Sequence, residues 1–244
     1  MRTGPTRSTS PACFLARLRR DFRAVYLAGL LCCAMLLPAC LLVWLGVYLR
    51  VFWLSLAGGA AGGLLGAQGV CGLFDTLLRS RRGRLGAWWP GYCAAFRQNA
   101  RDALLPGAVA GGALGAWVWV LMTLPLMERV PNSVWLCMFF GGACVIGFFL
   151  DLFAQLVLVD LPLGGLLKHT EMLFLGFLLR TLAAALVVLL YWMALVLFFP
   201  YTLPLLLITG GWLPGVLAVQ ILYPALDQAY GLTQRDADIE QEKR

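Results

Sequence analysis

Histidine is almost missing from this chain: His169 is the only one in 244 residues. No HExxH, GxSxG or Ser/His/Asp set occurs, so the common zinc-dependent and nucleophilic hydrolase arrangements lack their parts. The eight cysteines (Cys13, Cys32, Cys33, Cys40, Cys71, Cys93, Cys137 and Cys144) contain no CxxC pair, which leaves a zinc site of ordinary spacing unsupported. Most of them fall inside apolar runs, where a thiol acts as a small hydrophobe. The glycine-rich stretches carry no Lys-Ser/Thr pair and follow no soluble strand, which rules out a nucleotide loop. From these absences we expect no catalytic residue, no bound metal and no cofactor, and the chain is not expected to be an enzyme. Charge is scarce as well: 13% of residues are charged, where soluble domains carry about 25%.

What is present is apolar surface. Hydrophobic residues make up 61% of the chain and lie in long uncharged runs, so the expected solvent is a bilayer. The runs predict an all-α polytopic membrane bundle with six transmembrane helices, at about 24–49, 51–78, 104–127, 134–160, 181–199 and 204–226. Together they form one membrane domain over 24–227, between a basic tail (1–23) and a charged tail (228–244). The final uncharged run, 181–226, is too long for one crossing, which needs about 20 residues. Pro200 and Pro204 mark the expected break. Gly210-Gly211 is the rival break, disfavoured because too few apolar residues follow it to cross.

Cations set the expected threading. Seventeen Lys and Arg fall on the side of the two tails and the 79–101 and 168–180 connections, whereas Arg50 and Arg129 alone fall on the other. That asymmetry places both termini in the cytoplasm. The net charge of +7 is read as topological, with no nucleic-acid partner, because the basic residues sit beside apolar spans and form no groove signature. "LLPAC" ending at Cys40 resembles a lipoprotein box and "RRDF" a twin-arginine signal. The first is embedded in a continuing apolar run and the second is interrupted by Arg23.

One segment breaks the apolar pattern. From Trp88 to about 103, Trp89, Tyr92, Phe96, Ala100 and Ala103 recur at three- and four-residue spacing. Arg97, Gln98, Arg101 and Asp102 take the other face. This predicts an amphipathic helix lying at the cytoplasmic interface between spans two and three. Trp88, Trp89, Tyr92, Phe96, Arg97 and Arg101 would meet either headgroups or a docked partner, and the pattern does not separate these.

Three polar features stand out within the apolar frame. Asp151, with Gln155 one helical turn on, lies inside span four, where a carboxylate is costly. The pair is either a polar site for a cation, proton or small solute, or hydrogen-bonding glue between helices. Asp160 and Arg180 lie at the cytoplasmic end of neighbouring spans and could pair or snorkel separately. His169, beside Lys168, Thr170 and Glu171 in the cytoplasmic connection, is expected in a solvated loop or helix end. Finally, Gly58, Gly59, Gly62, Gly63 and Gly66, with Gly107, Gly111 and Gly115, repeat GxxxG spacing. That spacing suits close helix packing within the chain or, as a rival, between copies in a homo-oligomer.

The run from Gly66 through Gly72-Leu73-Phe74-Asp75-Thr76-Leu77-Leu78-Arg79, a basic linker, then Trp88-Trp89, Phe96-Arg97-Gln98-Asn99 and Leu104-Leu105-Pro106-Gly107 resembles the YesL-like family of small bacterial membrane proteins. Asp160-Leu161-Pro162, Arg180-Thr181-Leu182 and Tyr223-Pro224-Ala225-Leu226 extend the resemblance over most of residues 14–230. Phe74 departs from the tyrosine of that pattern. The resemblance implies a multi-span inner-membrane protein that accompanies a carbohydrate uptake system, with a transporter component as partner. It carries no catalytic or ligand-binding residue.

Overall fold

The computed structural model describes residues 11–127, 129–159, 161–198 and 201–234. It is helical throughout: α1 (Pro11–Tyr48), α2 (Phe52–Arg82), α3 (Trp88–Gln98), α4 (Leu104–Thr123), α5 (Asn132–Leu158), α6 (Leu163–Gly176), α7 (Leu178–Leu197), α8 (Leu203–Thr209) and α9 (Trp212–Tyr230), with no strand among the described residues. Five of these segments are long and apolar enough to cross a membrane: Ala16–Tyr48, Phe52–Arg82, Leu104–Leu126, Asn132–Leu158 and Leu178–Leu197. At 1.5 Å per residue each exceeds or matches the roughly 30 Å of a hydrocarbon core. The first five expected spans therefore correspond to helices, although α1 begins well before its apolar run.

The sixth expected span, 204–226, is not one helix. Both candidate breaks are used: α7 stops at Leu197, and Gly210 separates α8 from α9 with φ +47° and ψ −153°, a backbone state suited to glycine. In a membrane such a break must satisfy its freed carbonyl internally. Tyr191 of α7 does this: its hydroxyl donates to the Gly210 carbonyl at 2.8 Å and pairs with Thr209 Oγ1 at 2.6 Å. The seven residues of α8 are too short to cross alone, and α9 turns Val216, Val219, Leu222 and Leu226 inward.

The connection near His169 is a full helix, with its charged residues on the exposed face. Residues 163–176 form α6, which buries Leu166, Thr170 and Leu173 and leaves Lys168, His169 and Glu171 exposed.

Two packing systems organise the bundle. In the first, α2 lies between α1 and α4. Its Gly58, Gly62 and Gly66 face Leu42, Ala39 and Leu36 of α1, and a Cβ on Gly58 would sit 2.6 Å from that of Leu42. Its Gly59 and Gly63 meet the backbone of Gly111 and Gly107, where an added Cβ would collide with a carbonyl oxygen. The GxxxG rows are thus filled within the chain, which is the use small residues have where helices must approach without help from water. In the second system α7 packs on α5 and α9, with α6 against α5, and polar side chains hold the contacts. The two systems meet where α5 packs on α2 and α4 and where α9 packs on α2 and α1; at Gly29 of α1 a Cβ would lie 2.6 Å from that of Trp212.

Candidate functional site

Asp151 and Gln155 occupy one face of α5, and both are 0% exposed. Gly147, one turn before Asp151, lets α7 come close: a Cβ there would be 2.8 Å from Thr181 Cγ2. At that separation Thr181 Oγ1 donates to Asp151 Oδ2 at 2.8 Å. Asp151 Oδ1 is buried with no hydrogen-bond partner among the described residues. One turn on, Gln155 Nε2 donates to Thr170 Oγ1 of α6 at 3.3 Å, and Thr170 donates to the Leu166 carbonyl at 2.8 Å. Gln155 Oε1 accepts from the Tyr230 hydroxyl, at the end of α9, at 2.6 Å. Two side chains of one helix are therefore tied to three others.

The arrangement can bind a proton or lock helices together. Among the described residues no group of three His, Cys, Asp or Glu is placed to hold a metal. His169 and Arg180 are both exposed, away from the fully enclosed Asp151, so the three do not share a cavity. Asp160 lies outside the described residues, and so does its expected pairing with Arg180.

The segment after Gly86 is helical from Trp88 to Gln98, shorter than the expected 88–103. Asn99 caps its end: the Asn99 backbone N–H bonds the Ala95 carbonyl at 3.1 Å, and its Nδ2 adds a second bond to the same carbonyl at 2.9 Å. Its inward face also differs from the spacing-based assignment. Trp88, Tyr92, Ala95 and Phe96 pack on the core, whereas Trp89 is 55% exposed. The pivot is Gly72 of α2, where a Cβ would lie 2.7 Å from Tyr92 Cζ. The Tyr92 ring fills that notch, and burial pushes its phenol up to about 12. Arg97, Gln98 and Arg101 are exposed. Beneath the helix, Asp75, Arg79, Gln98 and Asn99 line a polar hollow of about 160 Å³ against the end of α5. Arg79 Nε pairs there with Asp75 at 2.8 Å.

Sequence reasoning missed a second polar assembly, in which the 79–84 cations do more than set topology. Arg81 is 8% exposed. It lies 4.3 Å from the centroid of the Tyr223 ring, hydrogen-bonds Gln220, and its carbonyl accepts from Arg17 at 2.7 Å. Ser80 donates to Asp21 Oδ2 at 2.9 Å, and Arg20 holds Oδ1 at 3.1 Å. These bonds join α1, α2 and α9. Their one advance signal is that Gln220 and Tyr223 are three residues apart on α9, hence on one face.

No family model, curated protein or solved structure matches the chain.

Proposed function

We propose that the chain is an integral protein of a bacterial inner membrane with both termini in the cytoplasm. α8 and α9 together make a sixth, broken crossing, and α3 lies along the cytoplasmic interface. In this reading it is a non-enzymatic accessory protein that accompanies a carbohydrate uptake system and presents the outer face of α3 to lipid or to a transporter component. The orientation is supported by the cation asymmetry. The partner class is supported by the resemblance described above. The observation that carries the accessory reading is the condition of the two intramembrane polar residues: Asp151 and Gln155 are both 0% exposed and spend their hydrogen bonds on neighbouring helices. A conducting pathway needs its polar groups reachable. Purification in a mild detergent that preserves known membrane complexes, followed by mass spectrometry, is expected to recover a transporter component. Recovery of none counts against the reading.

The unpartnered Asp151 Oδ1 favours a second reading, a small-solute or ion transporter in which this carboxyl takes up a proton or cation when the helices part. Flux into proteoliposomes that falls sharply in Asp151→Asn would select it over the accessory reading. Flux equal in the two proteins removes Asp151 from any transport step.

A further inference from the structure

A different feature lies at the opposite end of the chain, where α1 passes from charge to hydrocarbon. Arg20, Arg23, Ala24 and Leu27 follow the i, i+3, i+4, i+7 rhythm and so share one face of α1. Ala24 opens the uncharged run. Facing them is the linker after α2: Leu85, Gly86 and the Trp88 ring close an open notch of about 310 Å³. Gly86 turns that linker with φ +58°.

The chemistry of the walls is graded. At the outer end are two guanidinium groups. Arg23 is exposed and makes no hydrogen bond or ion pair with another described residue. Arg20 is 66% exposed at its side chain and uses Nε for Asp21, which leaves its terminal nitrogens. Asp21 also lines the notch, but both of its oxygens are taken, one by Arg20 and one by Ser80. The charge left over is positive. Further along the same face of α1, Ala24 and Leu27 offer hydrocarbon, and Leu85 and Trp88 line the notch with them; indole rings favour the membrane surface. A ligand matched to this gradient carries an anionic, fork-binding oxygen group joined to an apolar tail.

We propose that this notch binds the phosphodiester headgroup of an anionic phospholipid, with Arg20 and Arg23 on the phosphate and the first acyl carbons against Ala24 and Leu27. The site is distinct from the diffuse attraction of the exposed Arg97 and Arg101 on and beyond α3, because it has walls. It rests on the membrane reading of the chain but not on the accessory or transport role.

The full chain, purified in detergent and delipidated, is to be titrated with phosphatidylglycerol and separately with phosphatidylcholine, and bound lipid counted by native mass spectrometry. Phosphatidylglycerol is expected to bind preferentially. In Arg20→Gln/Arg23→Gln it should bind about thirtyfold more weakly, roughly fivefold for each arginine. Arg23→Gln alone keeps the Arg20–Asp21–Ser80 chain and should show the smaller loss, which guards against a fold defect. Ala24→Trp fills the notch at unchanged charge and should abolish the preference, while Arg97→Gln/Arg101→Gln should leave it intact. Full retention in Ala24→Trp, or an equal loss in the Arg97/Arg101 variant, overturns the proposal in favour of unspecific surface charge. Inorganic phosphate displacing the lipid at equal concentration would reassign the notch to a soluble phosphate and overturn the lipid assignment.

Discussion

The α1–α2–α4 half of the bundle and the α5–α6–α7–α9 half solve the same problem with opposite chemistry. Hydrocarbon tails are as apolar as leucine, so burying leucine drives little association between helices in a bilayer. The first half gains its cohesion by removing side chains. Gly59 and Gly63 against Gly107 and Gly111 bring backbone to backbone, and dispersion sums over the length of the contact. The second half has one close approach, at Gly147, and otherwise relies on side-chain hydrogen bonds, Asp151–Thr181, Gln155–Thr170 and Gln155–Tyr230. Tolerance to substitution should differ as well. A glycine row fails abruptly when one atom is added, because the atom meets main chain that cannot rotate away. A hydrogen-bonded face fails by degrees, because each bond contributes separately.

The largest effect is therefore expected in the glycine half. In Gly63→Leu or Gly111→Leu the new Cβ would strike a carbonyl oxygen of the facing helix. We expect a loss of at least about 3 kcal/mol, read as a collapse of thermal stability in detergent and of the monodisperse peak in gel filtration. Retention of wild-type stability would show that α2 and α4 do not depend on backbone contact for cohesion.

In the polar half the expected losses are smaller and partly reversible. Thr181→Val leaves Asp151 buried without any partner and should cost about 2 kcal/mol. Adding Asp151→Leu removes the stranded carboxyl, and most of that loss should return, since an apolar pair of similar shape replaces both partners. Reversible unfolding in mixed micelles measures both. A double variant no more stable than Thr181→Val would mean that the carboxyl contributes something other than the Thr181 bond. Tyr230→Phe should cost less, about 0.6 kcal/mol, the usual size of one interhelical hydrogen bond in a membrane. Gln155 keeps its Thr170 link in that variant.

The glycine half was far more legible from the sequence than the polar half, and the reason is where the information lies. GxxxG spacing is local, so its use in close packing could be read before any coordinates. Asp151 and Gln155 were visible because polar groups are rare in apolar runs, but Thr170, Thr181 and Tyr230 are unremarkable residues whose partnership exists only once four helices meet. The same distinction separates the spans. Five were legible as uncharged runs. The break at Gly210 was ranked below the proline break because the means of satisfying its carbonyl, Tyr191, belongs to another helix. α6 was missed because Lys168, His169 and Glu171 interrupt the apolar pattern, yet they occupy only its outer face. On α3 the aromatic spacing named Trp89 on the apolar face, but Trp88 is the ring that packs on the core, and which ring turns inward depends on the neighbouring helices.

Two adjacent glycines of α5 differ in what faces them. At Gly142 a Cβ would lie 2.6 Å from Cε2 of the Trp117 indole, and Trp117 is anchored by its Nε1 bond to the Met138 carbonyl at 2.9 Å. At Gly141 a Cβ would meet nothing within 4 Å. The helix propensity gained by alanine is the same at both positions, up to about 1 kcal/mol. Gly142→Ala should nonetheless destabilise by about 1 kcal/mol, because the ring must move and its hydrogen bond strain. Gly141→Ala should stabilise by about 0.5 kcal/mol. Opposite signs in one thermal-shift experiment would show that glycine in this chain is retained for what faces it, and equal signs would show that its composition reflects backbone flexibility instead.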